Sequence, residues 1–221
     1  MKGIVICSGG MDSVTLAYSL QDKIDAMTIL SFNYGQRHSK ELRFAEDAAR
    51  DLKVPWQLAH LDVNQFLEGS ALTDARVAVP EGHYEEESMK ATVVPNRNMM
   101  MLSVATALAV SSKSDAVYIG VHAGDHAIYP DCRPEFVTMM SKTAKIATQG
   151  FSVPDFEIVA PFVNMSKADI VDLGEDYNVP WARTWSCYKG DMWHCGKCGT
   201  CVERKEAFAL AGVDDPTIYS V

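Results

Sequence analysis

The sequence predicts an α/β fold: a doubly wound, mainly parallel sheet followed by a small cysteine-bearing C-terminal segment. Three observations predict it. Strand-like apolar runs alternate with helix-period segments through most of the 221 residues, the pattern of stacked strand–helix–strand units. The first run, Gly3 to Cys7, breaks at Ser8-Gly9-Gly10 and restarts at once as a helix. Four of the six cysteines fall between positions 187 and 201, after the alternation has ended. Residues 1–180 are therefore expected to form the α/β domain, and residues 181–221 a metal-binding segment with a C-terminal helix packed on it.

Strands are expected at 3–7, 26–32, 56–61, 115–121 and 156–160, each a short run rich in β-branched or aromatic residues. The first helix begins near Asp12. The next, Lys40 to Leu52, places Leu42, Ala45, Ala49 and Leu52 on one face. Asn98 to Ser111 is apolar on nearly every side, as suits a helix packed beneath other elements. Arg133 to Thr148 follows, and Ser166 to Tyr177 opens with Ser166-x-x-Asp169, a capping-box start. Residues 62–95 interrupt the rhythm with Glu85, Glu86, Glu87, Gly69, Gly82 and Pro80 and no clear period, as a lid or an insertion would.

A net charge of −9 and a pI near 5.1 argue against an extended nucleic-acid surface, which would show as a basic stripe. The longest apolar stretch, Met99 to Val110, is well short of the ~20 residues that cross a bilayer, so no membrane role is expected. The N-terminus enters a strand directly, without a basic region and cleavage site, and a cytoplasmic location is expected. In that setting clustered cysteines indicate metal rather than disulfides.

The bend at Ser8-Gly9-Gly10-Met11-Asp12-Ser13 is built for phosphate. Two glycines allow close approach and positive φ, so successive N–H groups can face an anion. The following helix adds free N–H groups and the positive end of its dipole. Ser8 and Ser13 supply hydroxyls, and Asp12 is placed to hold Mg²⁺. Neither G-x-x-x-x-G-K-[ST] nor G-x-G-x-x-G is present. SGGMDS instead resembles the pyrophosphate loop of the N-type ATP pyrophosphatases, which cleave ATP between its α- and β-phosphates and adenylate a substrate oxygen.

Cys187-x7-Cys195-x2-Cys198-x2-Cys201 offers four thiolates, with Gly196 and Gly199 letting the backbone wrap. Four sulfurs make a closed structural Zn²⁺ site, whose role is scaffolding. An iron–sulfur cluster is the competing reading, although nothing else in the chain suggests electron transfer. His194 is an alternative ligand, and Thr200-x-x-Glu203 reads as a capping box opening the last helix.

Six motifs, SGGMDS, NYGQRH (33–38), VPNRN (94–98), YPDCRPEF (129–136), SKADIVDLG (166–174) and TWSCYKG with CGKCGTC (184–201), span almost the whole chain. Together they resemble the 7-cyano-7-deazaguanine synthase family. Asn33, Asn96 and Ile128 depart from residues common in that family (Asp, Gly and Gly). The resemblance implies an adenine nucleotide alpha hydrolase-like fold and an enzyme that converts 7-carboxy-7-deazaguanine and ammonia to the nitrile with Mg-ATP. It implies ATP contacts at Ser8, Gly9, Gly10, Met11, Asp12, Ser13, Val14, Thr15 and Leu16, and a homodimer.

Arg97, at the start of the apolar helix, and Lys167, beside the cap of a short helix, are the cations expected at the phosphates; with Asp12 and Ser13 they form the candidate catalytic set. The guanine-like edge calls for an acid opposite its N–H donors and a donor opposite its oxygens. Gln36, Arg37, His38, Tyr129, Asp131 and Arg133 are the candidate substrate contacts, with Tyr129 or Phe136 available for stacking. His122, Asp125 and His126 would orient ammonia, bind a metal, or belong to an ordinary loop. Cys132 and Cys7 read as packing residues rather than nucleophiles. Two other functions compete. One is adenylation of a different acceptor, for tRNA base thiolation or for joining a deazaguanine to a protein; the other is a non-catalytic zinc module.

Overall fold

The computed structural model describes residues 1–63, 65, 67–84 and 87–220. Five strands, β1 (Lys2–Ile6), β2 (Ala26–Asn33), β3 (Trp56–His60), β4 (Ala116–Tyr118) and β5 (Glu157–Val159), form one sheet in the order β3-β2-β1-β4-β5. All four pairings are parallel. Six helices connect or follow them: α1 (Met11–Leu20), α2 (Glu41–Leu52), α3 (Arg97–Ser112), α4 (Pro134–Ala147), α5 (Lys167–Asp176) and α6 (Gly199–Ala211).

A strand buried on both faces must be apolar at odd and even positions alike, and β1 is so built. Ile4 and Ile6 pack with Leu30, Phe32 and Val117 against α3 and α4. Val5 and Cys7 pack on the other face with Ile29 and Tyr118 against α1, α2, α5 and α6. The chain winds outward from β1 to β3, then returns through α3 to lay β4 on the free edge of β1. That reversal leaves a crevice beyond the carboxyl ends of β1 and β4, where ligands bind in such sheets.

The elements fall within a few residues of the runs read from the sequence, and the Ser166/Asp169 capping box forms. Ser166 Oγ accepts from Asp169 N at 3.2 Å while Asp169 Oδ2 accepts from Ser166 N at 2.7 Å. β4 is shorter than its apolar run. Ile119 N still donates to Val159 O, but Gly120 then packs against the Asp12 backbone and the chain turns across the first bend.

The Thr200/Glu203 box does not form. α6 is capped by Cys198, Thr200 Oγ1 contacts Cys198 Sγ, and Glu203 reaches a different partner described below.

The irregular segment between β3 and α3 is packed down rather than free-standing. Leu72, Tyr84, Met89 and Val94 are buried under the sheet end. Arg37 Nη1 donates to Val77 O at 2.8 Å, and Gly82 N donates to Lys197 O at 3.0 Å. Glu85 and Glu86, counted above among its acids, lie outside the described residues. A small third cluster joins Trp185 and the four clustered cysteines to Ala71 and Val79, while Trp181, Ala207 and Phe208 pack into the core on the α1 face of the sheet. Among the described residues no helix is long and apolar enough to cross a membrane.

Candidate active site

The crevice is a cleft of about 200 Å³. One wall is the Ser8–Ser13 bend, where phosphate is expected. Gly9 sits at φ +95°, and a Cβ there would lie 2.1 Å from Glu41 O, so only glycine fits between the bend and α2. Gly10 caps α1 without a side-chain hydrogen bond, leaving the first-turn N–H groups of that helix for an anion. Ser13 Oγ donates to Gly10 O at 3.1 Å and accepts from Ser8 N at 3.1 Å, which stiffens the loop.

Beside the bend stands a charged cluster. Lys167 Nζ donates to Glu203 Oε2 at 2.5 Å and lies 3.3 Å from Asp12 Oδ2. Burial opposes its charge, but the Asp12, Glu203 and Asp125 carboxylates outweigh that and raise its pKa above the ordinary lysine value. His122 is almost fully buried; its Nδ1 accepts from Gly124 N at 3.1 Å, and its Nε2 faces Asp125 at 3.6 Å. His122 and Asp125 thus close the 3-10 turn at Ala123–Ala127, while the His126 carbonyl accepts from Arg133. Asp12 Oδ1 is buried with no hydrogen-bond partner, an acceptor suited to a divalent cation.

The rest of the lining is rich in aromatic side chains: Phe32, Tyr34, Tyr84, Tyr188 and Trp185 lie there with His38, Glu41, Arg97, Asn98 and Cys132. Arg97 Nη1 donates to Tyr34 OH at 3.3 Å and forms no ion pair among the described residues. An uncompensated guanidinium lining a cleft is a receptor for an incoming anion. Burial drives the Glu41 carboxyl up to about 8 and the His38 imidazole down to about 3, so His38 is neutral. Cys132 accepts from Asn98 Nδ2 at 3.2 Å, and burial raises its thiol well above the usual range, so no thiolate stands ready.

The structure gathers Ser8, Gly10, Met11, Asp12, Ser13, His38, Arg97 and Lys167 on the cleft. Val14, Thr15 and Leu16 are wholly buried in α1, away from it. Five of the six expected substrate contacts, all but His38, are turned elsewhere. Gln36 Nε2 donates to Phe32 O at 2.9 Å, and Arg37 ties down the segment before α3. Arg133 Nε donates to His126 O at 2.9 Å. Asp131 Oδ2 accepts from Asn98 N at 2.9 Å and so caps α3 from a distant loop. Tyr129 lies behind the cleft, its hydroxyl 2.6 Å from Thr92 Oγ1, and Phe136 packs in the core under α3.

Glu41, Glu203, Tyr34 and Tyr188 were not foreseen. For Glu41 a signal existed: it lies four residues before the buried Ala45, so it is a carboxylate on the apolar face of α2. Nothing in the sequence distinguished Glu203 from a capping residue.

Cys187, Cys195, Cys198 and Cys201 converge, their sulfurs all within 4.8 Å of one another and all four residues buried. Cys195 N and Cys198 N donate to sulfurs at 3.3 Å, as amides around bound thiolates do. His194 Nε2 accepts from Ser186 N at 3.0 Å and its ring lies 4.2 Å from Trp185, which keeps it off the sulfur cluster. The set suits a tetrahedral thiophilic metal.

A family model described as "Queuosine biosynthesis protein QueC" matches residues 2–212. The chain is 56% identical over 220 residues to a 7-cyano-7-deazaguanine synthase of Rhizobium meliloti (strain 1021), covering 99% of this chain and 92% of the relative. Identity to 7-cyano-7-deazaguanine synthase 1 of Mesorhizobium japonicum is 54% over 220 residues, covering 99% and 94%. Among solved structures, the U34-tRNA thiolase NcsA from Methanococcus maripaludis with its 4Fe-4S cluster aligns at a TM-score of 0.53 and 14% identity, covering 95% of this chain and 65% of that one. NMN synthetase from Francisella tularensis aligns at 0.52 and 16%, covering 96% and 77%. The two solved structures show a shared fold and no more.

Proposed function

The chain belongs to the QueC family of queuosine biosynthesis, whose curated relatives are 7-cyano-7-deazaguanine synthases, and we propose that its cleft builds the nitrile through two successive adenylations. A carboxylate is too poor an electrophile for ammonia to attack directly. Its oxygen first attacks the α-phosphorus of ATP, giving an acyl adenylate and pyrophosphate. Ammonia displaces AMP to leave the amide. The amide oxygen is adenylated by a second ATP, and loss of AMP and of the nitrogen-bound protons leaves the nitrile.

The observation that carries this reading is that an open α1 N-terminus and Lys167 share one cleft with Arg97, which forms no ion pair among the described residues. Ser8–Ser13 holds the phosphates, and the α1 N–H groups and Lys167 stabilise charge as pyrophosphate departs. Arg97 receives the acid and steers its oxygen toward phosphorus. Mg²⁺ would be held by Asp12, whose buried Oδ1 lacks a partner, and would supply charge neutralisation at the phosphates. Zn²⁺ would be held by the four cysteines, as a closed structural site. A cytoplasmic homodimer completes the proposal.

Incubation with 7-carboxy-7-deazaguanine, ammonium and Mg-ATP, read by mass spectrometry, tests it. The nitrile with two AMP released per molecule is expected. Adenylate without nitrile would move the reading to another acceptor, such as a tRNA base or a protein amine. Absence of any ATP turnover would overturn it.

A further inference from the structure

A 7-deazaguanine ring presents two adjacent donors, the N1–H and the 2-amino group. A carboxylate, with two acceptor oxygens side by side, is the side chain that meets both. YPDCR offers Asp131 for this role, but that carboxylate caps α3. The acids that line the cleft among the described residues are Asp12, Asp125 and Glu41. Asp12 lies against Lys167, and Asp125 accepts from His122 N and Tyr84 OH. Glu41 has only the Gln36 amide and the His38 ring beside it.

We propose that Glu41 reads the base: as the substrate docks it releases its proton to solvent, and its carboxylate accepts the N1–H and 2-amino donors of the deazaguanine. The assignment rests on the functional reading above, since it presumes a deazaguanine acid as substrate. Its surroundings fit a flat heterocycle: Phe32, Tyr34, Tyr188 and Met101 line the same cleft. The side chain is 9% exposed and forms no ion pair with Lys or Arg among the described residues. Its neighbours are Gln36 Nε2, donating at 3.3 Å, and the neutral His38, with Nε2 at 3.4 Å. A buried acid so weakly partnered is costly, and a donor edge brought by the substrate supplies the missing hydrogen bonds.

Orientation comes from the β2–α2 turn. Gln36 is held by Phe32 O and by Tyr34 N, both at 2.9 Å, and in turn holds Glu41. Glu41 O touches Gly9, so the base-reading residue and the phosphate bend share one backbone contact. NYGQRH is thereby explained as the support of a reader three residues beyond it.

The test is a cross of enzyme and substrate. Wild type, Glu41→Gln and Glu41→Asp are compared on 7-carboxy-7-deazaguanine and on its analogue lacking the 2-amino group, at saturating Mg-ATP and ammonium. Loss of one charge-assisted hydrogen bond predicts that wild type prefers the 2-amino substrate about 10- to 100-fold in kcat/KM. Glu41→Gln should discriminate less than about 3-fold, with a raised KM for the acid and an ATP KM within about 3-fold of wild type.

Full discrimination by a folded Glu41→Gln enzyme would overturn the assignment. So would a rise in ATP KM alone, or a fall in kcat with the acid's KM unchanged, which marks proton transfer. Should Glu41→Gln fail to fold, Glu41→Asp decides: a raised KM for the acid with partial discrimination supports the reader, and wild-type values on both counts refute it. A wild-type enzyme that processes neither acid would instead sink the functional reading, and this assignment with it.

Discussion

Glu203, two residues past Cys201, accepts a 2.5 Å hydrogen bond from Lys167 at the start of α5. The cysteine knuckle and the phosphate bend are therefore joined by one helix turn. α6 leaves the knuckle, delivers Glu203 to Lys167, and Lys167 reaches Asp12 in turn.

Replacing Lys167 with Met removes the cation that faces the departing pyrophosphate. Pyrophosphate–ATP exchange should fall about 10²- to 10³-fold, the usual effect of deleting one preorganised charge. Glu203→Gln should cost about 10-fold or less, because Asp12 still holds the ammonium. Exchange at wild-type rate in the Met variant would remove Lys167 from the site.

Asp131 holds the start of the helix that carries Arg97. Its carboxylate caps Asn98 N, and its carbonyl accepts from Asn98 Nδ2 at 3.2 Å. Asp131→Ala should destabilise the fold by about 1–2 kcal/mol, as lost caps do, and lower Tm by a few degrees. Asp131→Asn, which keeps an oxygen for the cap, should recover most of both stability and activity. A large loss of substrate affinity in a fully stable Asn variant would restore Asp131 to the substrate.

Stripping metal, or making Cys198→Ser, loosens the anchor of α6. Closed thiolate sites contribute directly to folding free energy. A fall in Tm of about 5–15 °C is expected, corresponding to several kcal/mol in a chain this long. ATP affinity by calorimetry should weaken with it, since Trp185, Ser186 and Thr200 of the same segment line the cleft. Unchanged Tm and ATP affinity after metal removal would break the proposed connection. Metal analysis distinguishes zinc from iron.

Glu41 also makes stability depend on pH. Burial, opposed by the Gln36 hydrogen bond and by Arg97, lifts its carboxyl from 4.5 to about 8 in the folded chain. The folded state holds this proton more tightly than the unfolded chain, so the contribution is complete below pH 4.5 and is lost as pH rises through 8. His38, depressed from 6.5 to about 3, acts oppositely: its contribution is present above 6.5 and lost as pH falls through 3. The difference in Tm between ligand-free Glu41→Gln and wild type isolates the first effect. It should grow in favour of Gln from pH 5 to pH 8.5, and a flat difference would refute a buried, proton-holding Glu41.

Local pattern carried far in this chain. Strands β1 to β5 and helices α2 to α5 are recoverable from period, caps and glycines, because each element buries an apolar face whose spacing is written in consecutive residues. The phosphate bend and the four cysteines were equally legible, since each is a short segment whose chemistry needs no distant partner.

Motif residues were harder, because a motif records that a side chain has a fixed partner without saying whether that partner is ligand or protein. Asp131 and Arg133 look like ligand contacts in YPDCR, yet Asp131 caps α3 and Arg133 donates to the His126 carbonyl. Glu203 looks like a local cap, yet its partner lies 36 residues away on α5.

From sequence alone came the parallel α/β plan, the glycine bend after β1 and the cysteine quartet, all products of short-range order. Tertiary structure alone decided which charged groups meet: that Lys167 is held by acids while Arg97 has no ion pair among the described residues, and that Glu41 joins the aromatic side chains on the cleft. The physical reason is that electrostatic pairing depends on distance and burial, which are set only when remote segments close on the carboxyl ends of β1 and β4.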